Sequence, residues 1–102
     1  MPLQKQLSIS IFFPCYNDSK TIGKLVDNAF SILKKYAYDY EVIVINDASV
    51  DNSQEILKKL EKKHDKLKVI YHGKNLGYGG ALRDGFKNAS KETIDASDEL
   101  VE

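Results

Sequence analysis

The chain has 102 residues, a length that suits one small domain. Its 15 basic and 15 acidic residues cancel, which argues against a general nucleic-acid binder. The single cysteine excludes an internal disulfide framework and favours a reducing compartment. No apolar run approaches the roughly 20 residues that a membrane span needs, and residues 1–6 lack the pattern of a signal peptide. We therefore expect a cytoplasmic protein with no membrane span.

Strands and helices are predicted to alternate along the chain. Apolar residues that alternate or run together over a few positions indicate strands, and apolar residues that recur at helical spacing indicate amphipathic helices. In chain order, the predicted elements are a strand at 7–13 ended by Pro14, a helix at 19–36, a strand at 40–45, a helix begun by 51–53, a strand at 67–71, a glycine-rich turn at 73–80 and a helix at 81–89.

This β-α-β-α-β-α order predicts an open, mostly parallel α/β sheet, because parallel strands need helical crossovers between them. In such sheets ligands bind outside the carboxyl ends of the strands. Three segments rich in polar residues or glycine follow the predicted strand ends, at 14–18, 46–53 and 72–80. Their convergence predicts a ligand site at that edge of the sheet.

The first segment reads PCYND. Pro14 needs no hydrogen-bond donor at a strand end, Tyr16 can stack on a planar base, and Asn17 can lock the turn. The alternative is that Tyr16 packs on the following helix while Asn17 and Asp18 cap it.

The second segment reads NDAS. Asn46 and Asp47 can accept hydrogen bonds from a base imide or from ribose hydroxyls, and we favour that interpretation for this pair. The alternative is an Asx-turn. For residues 51–53, capping of the second helix is the favoured interpretation.

The third segment reads GKNLGYGGALRDGF. Its glycines allow a ligand to approach the backbone, and free amides at a helix start favour phosphate. It is a poor dinucleotide fingerprint, because Leu82 stands where the third glycine belongs and the loop follows the third strand rather than the first. Arg83 and Lys74 either neutralise phosphate or are simply solvated.

The histidines and the cysteine show no evident catalytic arrangement in the sequence. His64 is predicted to lie on the surface near the end of the second helix. His72, at a strand end, has a better chance of lining the site, but no triad is visible. Cys15 is predicted to be a small packing residue rather than a nucleophile.

Three stretches in this order, ISIFFPCYND, YEVIVINDASVDNS and NLGYGGALRDGFKNAS, resemble the N-terminal half of inverting family 2 glycosyltransferases. The match covers nearly all of residues 7–90. The resemblance implies a Rossmann-like GT-A fold and a UDP- or GDP-linked sugar as donor. The third stretch looks most like the branch that transfers sugars to polyprenyl phosphates or makes polysaccharides, such as those of cell walls. Full-length relatives of that kind would lie at the membrane periphery.

The resemblance also assigns roles at matching positions. It places Tyr16 along the nucleotide base, Asn46 and Asp47 at the base and ribose, and Ala81 and Gly85 on a close-packed helix behind the glycine loop. Together with the phosphate argument for Arg83, the predicted nucleotide-sugar site comprises Pro14, Tyr16, Asn17, Asn46, Asp47, Asn75, Gly77, Gly80 and Arg83.

The family's metal-binding D-x-D segment is the main departure. In family members it holds a divalent cation, Mg²⁺ or Mn²⁺, that bridges the donor diphosphate. Here Asp95 matches the first carboxylate, Ser97 replaces the second, and Asp98 follows, after a run too short to make a comfortable strand. We therefore expect a domain over 1–90, followed over 91–102 by either an acidic tail or an incomplete metal-site segment with Asp95 and Asp98 as ligands.

The acceptor-binding half of the family has no counterpart in these residues, so no catalytic base is assigned. The sequence predicts a truncated donor domain with weak or no transfer activity of its own. The alternative from another class is a non-catalytic interaction module that associates with itself, forming a homo-oligomer that covers an unpaired sheet edge.

Overall fold

Parallel strands and helices alternate along the part of the chain that the structure describes. The computed structural model describes the backbone of residues 7–95, together with the side chains of 7–91 except that of Tyr78. The elements are β1 (Leu7–Cys15), α1 (Ile22–Tyr36), β2 (Ala37–Asn46), α2 (Ser53–Lys63), β3 (Leu67–Tyr71), α3 (Gly77–Asn88) and β4 (Glu92–Asp95).

The strands form one sheet in the order β3-β2-β1-β4, and every neighbouring pair is parallel. Cys15 at the end of β1 lies opposite Asn46, which in turn lies opposite Tyr71 at the end of β3. These three strands therefore end at the same level, and the loops that follow them share one edge. The predicted open parallel α/β sheet is confirmed.

The helices cover both faces of this sheet, which explains why its central strands are apolar almost throughout. Successive strand residues point to opposite faces. One face packs under α1 and α2, and the other packs under α3. On the first side, the strand residues Ile9, Ile11, Phe13, Val42 and Val44 pack with the helix residues Ile22, Val26, Leu33 and Leu57. On the second side, the strand residues Phe12, Ile43 and Ile45 pack with Ala81 of α3.

α3 lies unusually close to β1. A methyl group added at Gly85 would come within 2.1 Å of the Phe12 ring, and Ala81 one turn earlier is also buried. Small residues at these two positions let the helix backbone approach the sheet, as predicted.

Two boundaries near the site differ from the sequence predictions. β1 runs past Pro14 to Cys15; within residues 7–95, β4 pairs only with Ile9–Phe12, so no neighbour on that side needs a donor from the proline. α3 begins at Gly77 rather than Ala81, because its first amides find an acceptor in Asp47.

β4 is short but well anchored through the residues just before it. Glu41 accepts hydrogen bonds from the Ser10 hydroxyl at 2.6 Å and from the Ser90 amide and hydroxyl at 2.9 and 2.7 Å. The Lys91 amide donates to the Ser10 hydroxyl at 3.1 Å. Of the segment predicted as a tail or metal-site segment, residues 92–95 thus form a strand of the sheet, and 96–102 lie outside the described residues.

Candidate functional site

The loops after β1, β2 and β3 meet at one edge of the sheet and enclose a pocket. The pocket has a volume of about 310 Å³. It brings together Tyr16, Asp47 and Gly77, one from each of the three segments that the sequence singled out. Its lining comprises Pro14, Tyr16, Asp18, Asp47, Asn75, Gly77 and Ala81.

Asp47 is the buried carboxylate of this pocket, with its side chain only 6% exposed. Its Oδ1 accepts hydrogen bonds from the Leu76 amide at 2.8 Å and from His72 Nδ1 at 2.7 Å, and its Oδ2 accepts from the Gly77 amide at 2.9 Å. Burial raises the pKa of Asp47, but these donors outweigh burial and hold the pKa below its ordinary value. The group is therefore a carboxylate, placed at the N-terminus of α3 where the helix dipole favours negative charge.

His72 lies between two carboxylates. Its Nδ1 contacts Asp47 Oδ1 at 2.7 Å and its Nε2 contacts Asp84 Oδ2 at 2.5 Å. The hydrogen bond to Asp47 and the pairing with Asp84 raise the pKa of His72 against the opposing effect of burial. No partner of His72 was predicted from the sequence, because Asp47 and Asp84 lie on two other elements. The available signal was the position of His72 at the end of a strand, next to the strand that precedes NDAS.

Asn17 ties two loops together and adopts the left-handed backbone region, with φ of 53°. Its amide donates to the Ser49 hydroxyl at 3.0 Å, and its side-chain oxygen accepts from the Val50 amide at 2.8 Å. The predicted lock of the turn therefore exists, and it joins the loop after β1 to the loop after β2.

Asp51 strengthens the same junction. Its Oδ1 accepts from the Ser53 amide at 3.0 Å and its Oδ2 accepts from the Ser19 amide at 3.1 Å. Hydrogen bonds from Ser53 are the largest influence and lower the pKa of Asp51 to about 2. The predicted capping role at the start of α2 is present, although Asn52 is the N-cap residue and makes no side-chain cap hydrogen bond.

Asn46 is buried beside Asp47 but uses its side chain within its own turn. Its Oδ1 accepts from the Ser49 amide at 3.2 Å, and its backbone oxygen accepts from the His72 amide at 2.9 Å. This bond reaches the amide three residues on, so Asn46 closes its own turn without forming an Asx-turn; the Asx-turn of the alternative interpretation is the bond from the Ser53 amide to Asp51. A contact between Asn46 and a nucleotide stays a prediction.

The glycine loop is shaped by contacts within itself. Gly77 has φ of 76°, a conformation that side-chain-bearing residues rarely adopt, and its amide also contacts Asn75 Oδ1 at 2.8 Å. A methyl group added at Gly80 would meet the Leu76 Cβ at 2.6 Å. Arg83 is exposed on α3, and the described pocket lining does not include it.

His64 was predicted to lie on the surface, and that prediction was wrong. Its ring is 14% exposed, stacks on Phe30 with ring centroids 4.2 Å apart, and contacts Asp27 Oδ1 at 2.9 Å. The end of α2 packs back on α1, which the helical pattern of α2 alone does not reveal.

Cys15 is fully buried at the end of β1, directly before Tyr16. Burial raises the pKa of its thiol. A thiol that stays protonated is a poor nucleophile, so the predicted packing role is confirmed.

The described side chains contain no group of three or more His, Cys, Asp or Glu residues that could hold a metal ion. Asp95 ends β4, where its backbone lies opposite Phe12, and Asp98 lies outside the described residues. Over residues 7–95, no helix has both the length and the apolar character that crossing a membrane requires.

The part of the chain that forms the sheet and the pocket matches a known protein family. The family model described as glycosyl transferase family 2 matches residues 10–96. The chain belongs to glycosyl transferase family 2. The match runs from the middle of β1 through all three loops of the pocket and past the end of β4.

Relatives of known name belong to more than one branch of this family. The chain is 39% identical over 97 residues to human dolichyl-phosphate beta-glucosyltransferase, covering 88% of this chain and 29% of that protein. It is 37% identical over 91 residues to the poly-beta-1,6-N-acetyl-D-glucosamine synthase of Staphylococcus epidermidis, covering 89% of this chain and 21% of the synthase. The chain thus spans less than a third of the length of either relative.

Solved structures confirm the GT-A fold over the part that the chain spans. The mannosyltransferase PcManGT of Pyrobaculum calidifontis, in complex with GDP-Man and Mn²⁺, superposes with a TM-score of 0.77 at 24% identity over 93% of this chain and 28% of that one. S. aureus TarS 1-349, in complex with UDP-GlcNAc, gives a TM-score of 0.68 at 26% identity over 88% and 26% of the two chains.

Proposed function

We propose that this chain supplies the donor pocket of an inverting glycosyltransferase that moves a sugar from UDP or GDP to a polyprenyl phosphate or a growing polysaccharide. The observation that carries the proposal is the convergence of Tyr16, Asp47 and Gly77 on one pocket at the carboxyl ends of parallel strands.

Two of the lining side chains, Tyr16 and Asp47, can bind the nucleoside of the donor. The Tyr16 side chain is 49% exposed at the pocket, so its ring is available to stack on a nucleotide base. Asp47 Oδ2 accepts one protein hydrogen bond and retains room for another, from a base N–H or a ribose hydroxyl.

The donor diphosphate would lie near the start of α3. Because the Leu76 and Gly77 amides already donate to Asp47, the diphosphate would meet the amides that follow them. Arg83, exposed on the same helix, is the proposed cationic partner.

The acceptor class rests on the relatives. One is named for transfer to dolichyl phosphate and another for synthesis of a polysaccharide.

We propose Asp95 and Asp98 as ligands of a divalent cation. Asp95 matches the first carboxylate of the family's metal-binding segment, and Asp98 follows the Ser97 that replaces the second. Carboxylates are hard oxygen ligands of the kind that Mg²⁺ and Mn²⁺ prefer. A bound divalent cation would neutralise charge on the departing diphosphate. Selective paramagnetic broadening of the Asp95 amide signal by Mn²⁺ would support this assignment, and broadening spread evenly over surface carboxylates would contradict it.

The direct test is titration of the chain with UDP-sugars and GDP-sugars in the presence of Mg²⁺, followed by amide chemical shifts. We expect shifts to concentrate in the loops after β1, β2 and β3. Absence of movement around Asp47 and Gly77 would overturn the proposal.

A matched pair of variants sharpens this titration. Tyr16→Ala removes the proposed stacking ring, which is worth roughly a 5- to 100-fold loss of affinity for a base. Tyr36→Ala removes a tyrosine that is 60% exposed at the end of α1 and away from the pocket lining, so it should bind as the parent does. Equal effects of the two variants would contradict a base-stacking role for Tyr16.

A further inference from the structure

A charged bridge stands behind the proposed donor pocket. The His72 ring, 7% exposed, joins Asp47 Oδ1 at 2.7 Å to Asp84 Oδ2 at 2.5 Å. Only an imidazolium donates from both ring nitrogens, whereas a neutral ring has a single N–H. A neutral His72 would therefore point a lone pair at one of the two carboxylates.

The bridge connects two elements that shape the pocket. Asp47, in the loop after β2, uses the same Oδ1 atom to accept from His72 and from the Leu76 amide, while its Oδ2 accepts from Gly77. Asp84 lies further along the helix that Gly77 begins. One imidazole ring thus joins the loop after β2 to the middle of α3, and Asp47 joins that loop to the first turn of the same helix.

The charged groups that contact the His72 ring are both carboxylates. Asp47 from the loop after β2 and Asp84 from α3 act on His72 directly. Lys74 on the loop of His72 itself and Arg83 on α3 are both exposed to solvent. Loss of the His72 proton would therefore leave two carboxylates facing a neutral ring, with their mutual repulsion no longer compensated.

We propose that His72 is a positioning residue whose protonated ring locks Asp47 and the first turn of α3 into the nucleotide-accepting arrangement, and whose deprotonation loosens that arrangement. The link to nucleotide affinity rests on the proposed function, whereas the lock itself does not.

The direction of the pH effect follows from the contacts. Asp47 and Asp84 raise the pKa of His72 in the folded chain above its ordinary value of 6.5. The lock is therefore fully present below that ordinary value and is lost as the pH rises through the folded pKa.

The first experiment needs no nucleotide. The chain has two histidines, so both ring signals can be followed by NMR across a pH titration. We expect the His72 midpoint to lie above 6.5, the Leu76 and Gly77 amide signals to move with the same midpoint, and Asp84→Asn to lower that midpoint.

The matched control is Asp27→Asn, which removes the carboxylate beside the other histidine, His64, on the α1–α2 side of the sheet. It should leave the His72 midpoint and the Leu76 and Gly77 amide signals unchanged. A His72 midpoint that Asp84→Asn does not move, or amides that ignore the ring titration, would overturn the lock.

The second experiment measures affinity for a UDP- or GDP-sugar against pH. A nucleotide sugar is preferred to UDP, because a terminal phosphate titrates near pH 6 and would mask the protein. We expect affinity to fall about tenfold as the pH rises through the His72 midpoint, the scale of one lost positioning contact. Asp27→Asn should keep the parent curve.

His72→Gln should bind weakly and without this pH dependence, because a neutral amide does not titrate in this pH range and supplies no positive charge to compensate Asp47 and Asp84. If that variant fails to fold, the curve of Asp84→Asn, shifted to lower pH, decides the same question. Binding that is independent of pH in the parent overturns the inference and leaves the donor pocket intact. No binding at any pH removes the donor pocket, and the ring titration still decides the lock.

Discussion

Ala48 occupies a backbone conformation that favours glycine. Its φ is 60°, in the turn that directs Asp47 into the pocket and brings the Ser49 amide to Asn46. For a residue with a Cβ atom, the left-handed region costs roughly 1–2 kcal/mol. The loop after β2 therefore carries strain at the position next to its buried carboxylate.

Ala48→Gly should relieve this strain and raise the free energy of unfolding by about 0.5–1 kcal/mol, after the greater freedom of glycine in the unfolded chain is subtracted. Urea denaturation measures the change. Ala48→Val, which places a branched side chain in the same conformation, should lower stability. A glycine variant less stable than the parent would show that the turn relaxes to another conformation.

Residue identity predicted which side chains gather at the site but not how each is used. Tyr16 and Asp47 line the pocket because strand ends fix their position. Asn46 lies one residue from Asp47, yet its side chain serves its own turn. Local hydrogen bonds of this kind depend on backbone angles, which an amide side chain in a sequence does not specify.

At the scale of elements, the packing of α3 on β1 depends on Gly85. Its position against the Phe12 ring leaves no space for a Cβ atom. The ring is itself fully buried and makes an edge contact with Phe86, with centroids 5.1 Å apart, which limits how far it can shift.

Gly85→Ala should therefore destabilise the chain by roughly 1–3 kcal/mol through overpacking. Thermal or urea unfolding measures the loss. Gly23→Ala in α1 is the matched control: apart from its chain neighbours and the backbone of its own helix, nothing lies within 4 Å of the position of its Cβ, so it should change stability by less than about 1 kcal/mol. Equal effects of the two substitutions would contradict the close approach of α3.

The attachment of β4 to the sheet depends on hydrogen bonds of Ser10. The fully buried Ser10 hydroxyl donates to Glu41 and accepts from the Lys91 amide at the entry to β4. Ser10→Ala should cost roughly 1–3 kcal/mol, because the half-buried Lys91 amide loses this acceptor and Glu41 loses a donor.

Amide hydrogen exchange locates this effect: exchange should quicken in β4 more than in β2 or β3. Ser31→Ala, on the exposed face of α1, is the matched control and should leave exchange unchanged. Uniformly faster exchange in the Ser10→Ala variant would indicate global destabilisation rather than loosening of β4.

The strands and helices were largely predictable because apolar periodicity reflects burial directly. β3 has the predicted bounds of 67–71, since it is short and flanked by polar residues. The start of α3 was predicted four residues late, because Asp47, some 30 positions earlier, supplies the acceptor for its first amides. Contacts between distant segments decide such boundaries, and a local pattern does not contain them.

At the scale of the whole molecule, stability should peak in mildly acidic solution. The pKa values of Asp27, Asp47 and Asp51 lie below their ordinary 3.8, so their contribution is present above that value and is lost as the pH falls through the folded pKa. The pKa of His72 lies above 6.5, so its contribution is lost as the pH rises.

We therefore expect the free energy of unfolding to be highest between about pH 4 and 6.5 and to decline on both sides. Urea midpoints across pH 2–9 measure this curve. Asp84→Asn should flatten the decline on the alkaline side and leave the acid side in place. A curve that rises steadily from pH 6 to 9 would contradict the charged bridge.

Self-association, the other expectation for the whole molecule, stays a prediction. β3 and β4 are the outer strands of the described sheet, where unpaired backbone groups can recruit another chain. Light scattering at the concentrations used for nucleotide titration separates a monomer from an oligomer.

The burial of Cys15 has a practical consequence. The sole thiol of the chain is fully buried one residue before Tyr16, so a thiol reagent can reach it only when the end of β1 opens locally. The rate at which a thiol reagent labels the unaltered chain therefore reports how often the end of β1 opens. A ligand bound against Tyr16 should slow the labelling of Cys15, whereas a ligand bound elsewhere on the surface should leave the labelling rate unchanged.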